Sequence, residues 1–505
     1  MGEGVDVRTD AGERSKLRRE LRRLDTIFFL ISAMVAVDTI GAIAIGGPQA
    51  FTWWVVLFVT FFIPSALASA ELGAALPQEG GAYVWVSQAF GRFAGAMTSL
   101  LYWVGTPMWL GGSLTVVAIA VYESFYSGLT MFGQLIFGVI FIGGATIGAV
   151  VPLRLGKWLP SSGAIGQIAL LSFCTISAVL YGVDNGFHGI AAADLTPTFP
   201  VFIAIVPILL YSFVGIELPS SAAEEMVDPR RDIPVAIARA GVGQLLMYAV
   251  PILAVLLVLP VDRLSSLHGL IDALKTVLTV YGGSVDAGGA VALTGAGSAL
   301  GAIGAAVFIW ILFASGAAWI MGAGRAQAAA CLDGAGPAVL GRVSERTGVP
   351  VIMGLVSGGV SMITMVAYLA ATNGDGQKFF SVGLTVAVSM IVLAYLLIFP
   401  AFVALRIRQP DLERPFRVPG GMGVAWCVSI IASAWALLAT ICLLWPGFGT
   451  SDPDASLPAG FEGQRTTFEL MVLCPVAAML PLCAALYASG RPRARRNALA
   501  ATGAV

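Results

Sequence analysis

Apolar residues in this chain gather into long unbroken runs instead of alternating with polar ones. Twelve runs of about 20 residues can be marked, at 26–48, 51–73, 95–121, 131–151, 162–183, 200–223, 236–260, 301–327, 349–371, 379–405, 423–446 and 468–488. A helix of that length crosses the ~30 Å hydrocarbon layer of a bilayer, and it does so without leaving backbone N–H or C=O groups unbonded in lipid. The pattern predicts an all-α polytopic membrane protein with 12 transmembrane helices, here called spans one to twelve. The longest connection, between spans seven and eight, contains a stretch from Gly269 to Tyr281 whose apolar residues recur at three and four, which predicts a short amphipathic helix, either lying over the outer mouth or an ordinary interfacial one.

Charge orients the spans. Of 28 Lys and Arg residues, 24 fall in the two ends and in the alternate loops on their side, leaving only Arg263, Lys275, Lys378 and Arg465 opposite. Positive residues stay on the cytosolic side, so both termini are expected in the cytosol, in a cytoplasmic (inner) membrane. The expected organisation is a tail at 1–24, a ten-helix core at 25–405 divided into repeats of about 25–185 and 198–405, two additional helices within 406–488, and a tail at 489–505.

Composition narrows the function. With 58% apolar and 11% charged residues, the chain carries too little charge to cover a soluble surface. The net charge of −1 gives no concentrated basic face for nucleic acid. The six cysteines lie at no metal-ligand spacing and read as small core residues, and the two histidines, His188 and His268, fall in outer loops. Gly156-Lys157 is followed by Trp158, so it forms no phosphate loop. No nucleophile–base pair is visible, and no enzyme activity, metal or cofactor is expected.

Two spans break their own pattern near mid-depth. In span one, Asp38-Thr39-Ile40-Gly41-Ala42 sets an acid and a glycine halfway across, followed by Gly46-Gly47-Pro48. In span six, Tyr211-Ser212-Phe213-Val214-Gly215-Ile216-Glu217-Leu218-Pro219 again joins a glycine, an acid and a proline. A carboxylate at bilayer centre costs at least about 2.5 kcal/mol, so each should face a cavity or a partner. Spans one and six also open two five-span halves, and paired interruptions of that kind point to an inverted-repeat transporter with its site at the midplane.

Gly215-Ile216-Glu217 through Glu224-Glu225 to Pro229-Arg230-Arg231-Asp232-Ile233-Pro234 resembles the sixth span of the amino acid/polyamine/organocation (APC) transporter superfamily. Pro77-Gln78-Glu79-Gly80-Gly81-Ala82-Tyr83 resembles its loop after span two, and Gly324-Arg325 through Asp333-Gly334 and Pro337 to Pro350 its stretch after span eight. Ala318-Trp319-Ile320 and Gln409-Pro410-Asp411-Leu412-Glu413-Arg414-Pro415 are similar to the bacterial glutamate/GABA antiporter branch. The resemblance implies the five-plus-five inverted-repeat fold of the LeuT type, with broken helices one and six, and an alternating-access permease or antiporter for an amino acid or its amine derivative.

Carried over residue by residue, the resemblance places substrate at Asp38, Thr39, Ile40, Gly41, Ala42, Thr106, Tyr211, Phe213, Gly215, Ile216 and Trp319, with Asp38–Ala42 unwound and Phe213 and Trp319 closing the pocket. Asp38 departs from the superfamily's usual glycine-rich stretch, and its charge would repel a carboxylate and attract a cation. A carboxylate-free amine such as a polyamine or ethanolamine is the alternative substrate, and a transport-inactive sensor a remote one. Proton coupling through Glu217 or Asp38, sodium coupling through Ser315, and exchange without an ion all stay open.

Overall fold

A computed structural model describes residues 17, 19–44, 46–187, 189–258, 267–286, 288–458 and 460–501; His188 lies outside them. Among the described residues, 11 helices are long and apolar enough to cross a membrane. They match every predicted span but the sixth. Their ends overrun the apolar runs, as in span eight (Gly295–Leu332) and span ten (Gly376–Arg408), because polar residues continue a helix once it leaves the hydrocarbon. Span six is missing from that set because it is discontinuous: a helix at Phe199–Tyr211, a non-helical stretch at 212–217, and a 3-10 helix at Leu218–Glu225.

Span one is also interrupted, but earlier than its sequence suggests. The break falls at Val35 and Ala36, between helices Arg23–Met34 and Val37–Ala44, so Asp38–Ala42 are helical and not unwound. Gly41 serves packing. A Cβ there would lie 2.4 Å from the backbone nitrogen of Leu270 and 2.8 Å from Gly269, so the glycine lets the helix Gly269–Leu278 rest directly on span one. That helix is the predicted amphipathic one. The hairpin that follows it, Gly283–Val285 paired antiparallel with Val291–Leu293, has no counterpart in the helical reading of the sequence. The chain's last helix runs from Arg465 through Ala501, so residues 489–501 continue it where a tail is expected.

Span ten lies along spans three and eleven, and span five along span eight. Span three, Arg92–Phe125, carries a π-helical turn at Leu110–Leu114. Cys174, Cys331, Cys442 and Cys483 are core residues as expected, whereas Cys427 and Cys474 are exposed on the flanks of spans eleven and twelve, where an apolar thiol is compatible with lipid. Spans ten and eleven are fastened by a buried charge network: Arg406 and Arg414 converge on Glu71 of span two, whose carboxylate also accepts the Val418 N–H at 2.7 Å. The Gln409–Gly421 motif is the loop that this network ties down.

Replacing Gly41 by Val should push the Gly269–Leu278 helix off span one and lower stability by about 1–3 kcal/mol, the usual cost of overpacking. A thermal unfolding midpoint equal to that of the unmodified protein would contradict this contact.

Candidate functional site

A break in a transmembrane helix frees backbone groups that lipid cannot satisfy. In span one the carbonyls of Ser32, Ala33, Val35 and Ala36 are met by side chains from other spans, while Met34 O accepts the Ala36 N–H at 3.1 Å. Ser315 Oγ donates to Ser32 O at 2.7 Å, Trp319 Nε1 to Ala33 O at 2.9 Å, and Gln167 Nε2 to Val35 O at 2.8 Å. The Tyr248 hydroxyl accepts the Ala36 N–H at 3.0 Å and bonds the Ala36 carbonyl at 3.2 Å, with Thr39 Oγ1 on the same carbonyl at 2.7 Å. In span six, Gln244 Nε2 donates to the Ser212 carbonyl, Trp54 Nε1 donates to Ser212 Oγ at 3.0 Å, and the Tyr395 hydroxyl accepts the Gly215 N–H at 3.2 Å. Gly215 sits at φ +101°, and a Cβ there would meet the Trp319 ring at 3.0 Å.

Between the breaks lie two carboxylates and a set of rings. Asp38, in the first turn of Val37–Ala44, is 4% exposed, and both its oxygens are buried without a hydrogen-bond partner. It faces the Trp109 indole and lies near the hydroxyls of Tyr211 and Tyr248. Glu217 is 2% exposed and accepts from the Tyr395 hydroxyl at 3.1 Å on each oxygen, with Tyr102 beside it. Among the described residues neither acid has a Lys, Arg or His partner. Trp319 stands between the two, with ring centroids 6.1 Å from Trp109 on the Asp38 side and 5.8 Å from Tyr102 on the Glu217 side. Tyr211 completes the wall at 6.4 Å from Trp109.

The structure thus brings Asp38, Tyr211, Gly215, Glu217, Ser315 and Trp319 to one region. Thr106 is buried there on span three with its hydroxyl unpartnered. Thr39 and Ser315 spend their hydroxyls on span-one carbonyls. Ile40 and Ile216 are packed in the core, Gly41 touches the outer helix, and the side chain of Ala42 lies outside the described set. Phe213 packs with Trp54, Phe58 and Phe62 at 5.2–6.1 Å, so its ring contacts are with span two and not with Trp319. Sequence reasoning missed Tyr102, Trp109, Gln167, Tyr248 and Tyr395. Only Trp109 had a local signal, its place between Pro107 and Gly111-Gly112, where span three widens into a π turn.

The quoted motifs meet at the end that carries the Lys/Arg-rich loops. Arg325 Nε and Nη2 each reach Glu225 at 2.9 Å, with Glu79 at 3.8 Å. The Tyr83 hydroxyl donates to Asp333 at 2.5 Å; burial, and then the Asp333 charge, push that phenol above its ordinary value, which keeps it a donor. Leu21 pairs with Met226 in a parallel bridge, Arg23 meets Asp232 at 2.6 Å and Lys157 meets Asp25 at 2.9 Å. These contacts tie together the chain segments at that end of the bundle.

Residues 21–462 match the family described as "Amino acid permease", and the chain belongs to it. It is an APC superfamily transporter of an amino acid or amine, held in a membrane by many spans. It is 26% identical over 79% of its length to a "Probable agmatine/putrescine antiporter" of Lactococcus lactis, covering 82% of that protein. It is 27% identical over 81% of its length to a "Polyamine transporter" of Oryza sativa, covering 70% of it. An "Uncharacterized transporter" of Legionella pneumophila is 26% identical over 83% of the chain and is itself covered over 89%.

Tyr248→Phe should remove the hydroxyl's bonds to the Ala36 N–H and carbonyl and to Thr39, which keep their bonds within span one, and cost about 0.5–1.5 kcal/mol. Thermal unfolding in detergent would read this as a lower midpoint; an unaltered midpoint would mean that the hydroxyl does not support the break.

Proposed function

We propose that the protein carries an organic amine without a carboxylate, of the agmatine, putrescine or polyamine kind, across a bacterial cytoplasmic membrane with both termini in the cytosol. One observation carries the reading: Asp38 is buried against aromatic rings, with the Trp109 indole facing it and, among the described residues, no Lys, Arg or His partner. An ammonium supplies the missing charge, and Trp109, Tyr211 and Trp319 can cover it by cation–π contact at about 0.5–2 kcal/mol per ring. A substrate carboxylate would meet like charge there. The printed names of two relatives, which concern agmatine, putrescine and polyamines, support the same substrate class. The surplus of Lys and Arg on one side supports the orientation.

Transport follows as alternating access. The amine enters against Asp38, and Trp319 separates it from Glu217 and the closed end. Opening requires the Arg325–Glu225 and Leu21–Met226 contacts to part, because they block the path on that side. A sodium ion at the span-one break is disfavoured, since the carbonyls it would use already accept from Gln167, Ser315, Trp319 and Tyr248. Glu217, held by Tyr395 next to the break of span six, is the better coupling group and exchanges a proton as the amine passes.

Counterflow of radiolabelled putrescine and agmatine into proteoliposomes loaded with the same amine tests the reading, and binding without uptake would identify a sensor instead. Asp38→Asn should cut amine uptake by about 30-fold or more, the effect of removing one partner of a buried charge pair, with folded yield intact. Unchanged kinetics would take Asp38 out of the site. Glu217→Gln should flatten the dependence of uptake on pH while amine binding persists; an identical pH profile would remove Glu217 as the proton carrier.

A further inference from the structure

On the outer face of the bundle, spans ten and eleven (Gly421–Leu444) leave a groove of about 640 Å³ between them. It begins at Arg408 and Trp426, beside the Arg-rich loop, and ends at Leu396 and Leu437. The 12 residue steps from Arg408 to Leu396 make it about 18 Å long at helical rise, close to the ~15 Å that one leaflet contributes to the hydrocarbon layer. Small residues in its lining, notably Ala404, Ser429 and Ala434, together with Pro400, leave room for the groove. Val403, Ile407 and Ile430 add aliphatic surface, and Phe90 an aromatic ring.

The two polar features of the groove differ in depth. At the mouth, Arg408 is exposed; its guanidinium stands 5.9 Å from the Phe90 ring centroid and gives one N–H to the Ala89 carbonyl. It has no carboxylate partner among the described residues, in contrast to Arg406 two positions earlier, which is bound to Glu71. Deeper in the wall, the Ser433 hydroxyl is buried without a hydrogen-bond partner. A stationary guanidinium at headgroup level above an apolar slot one leaflet deep is complementary to a molecule with an anionic head and a hydrocarbon tail.

We infer that this groove binds one anionic phospholipid of the adjacent leaflet, its phosphate on Arg408 and an acyl chain between spans ten and eleven. The lipid covers the joint between the ten-helix core and the two additional helices. This site is separate from the amine site and does not depend on what is transported.

Native mass spectrometry of the detergent-purified full chain, titrated with phosphatidylglycerol or phosphatidylcholine, tests it. The expected result is one retained phosphatidylglycerol with a preference of about fivefold over phosphatidylcholine, the contribution of one arginine at an anionic headgroup. Arg408→Gln should abolish the preference, and Ala434→Phe, which fills the slot, should lower retention of both lipids with the thermal midpoint preserved. Equal phosphatidylglycerol retention by the unmodified protein and Arg408→Gln would overturn the proposal. So would stabilisation by inorganic phosphate equal to that by the lipid, which would mean an anion site without an acyl slot, or a dimer that buries the groove and excludes lipid.

Discussion

The structure depends on how it deals with backbone groups freed inside a membrane. An unbroken helix needs nothing from its neighbours, but a helix interrupted at mid-depth leaves N–H and C=O groups that cost several kcal/mol each if they stay unbonded. Here the break at Val35 and Ala36 is held by Gln167 from span five, Tyr248 from span seven, and Ser315 and Trp319 from span eight. The break in span six is held by Trp54, Gln244 and Tyr395. These side chains tie each discontinuity to three neighbouring helices, five in all, and thereby set the position of everything around the breaks, including Asp38 two residues beyond the first.

The same accounting separates structural acids from functional ones. Glu71 and Glu225 are as deeply buried as Asp38 and Glu217, yet each is paired with an arginine through two N–H groups. A buried pair with all its hydrogen bonds made is inert architecture, and removing one member would strand the other at about 3–5 kcal/mol. Asp38 has no such partner and Glu217 has only a phenol. These two carboxylates are therefore the buried acids whose charge the arginines of the bundle leave unbalanced, among the described residues.

The three motifs that carry the resemblance, after spans two, six and eight, come together in space. Glu225, Tyr83, Arg325 and Asp333 lie far apart in the chain and converge on one end of the bundle, where they close the passage together with Leu21, Arg23 and Lys157. Asp38 and the rings around it belong to a different part of the bundle, at the interruption of span one.

Membrane insertion imposes a local rule, about 20 apolar residues per crossing, and a local rule can be read from a local pattern. The spans, the Lys/Arg asymmetry, the interruptions of spans one and six and the two mid-depth acids were therefore legible in the amino-acid order alone. The exact site of the first break was not, because Val35 and Ala36 are as apolar as their neighbours and are unwound by what Gln167 and Tyr248 offer them. Nor was the turning of Phe213 toward Trp54, nor the pairing of Trp109 with Asp38, since each joins residues on different helices whose relative rotation is set by close packing such as that of Gly41 on Gly269. Sequence determined where the chain crosses and where it must falter; only the packing of the spans decided which side chains meet at the faults and which buried acids an arginine pairs with, because hydrogen-bond partners 100 to 300 residues apart are chosen by geometry and not by spacing.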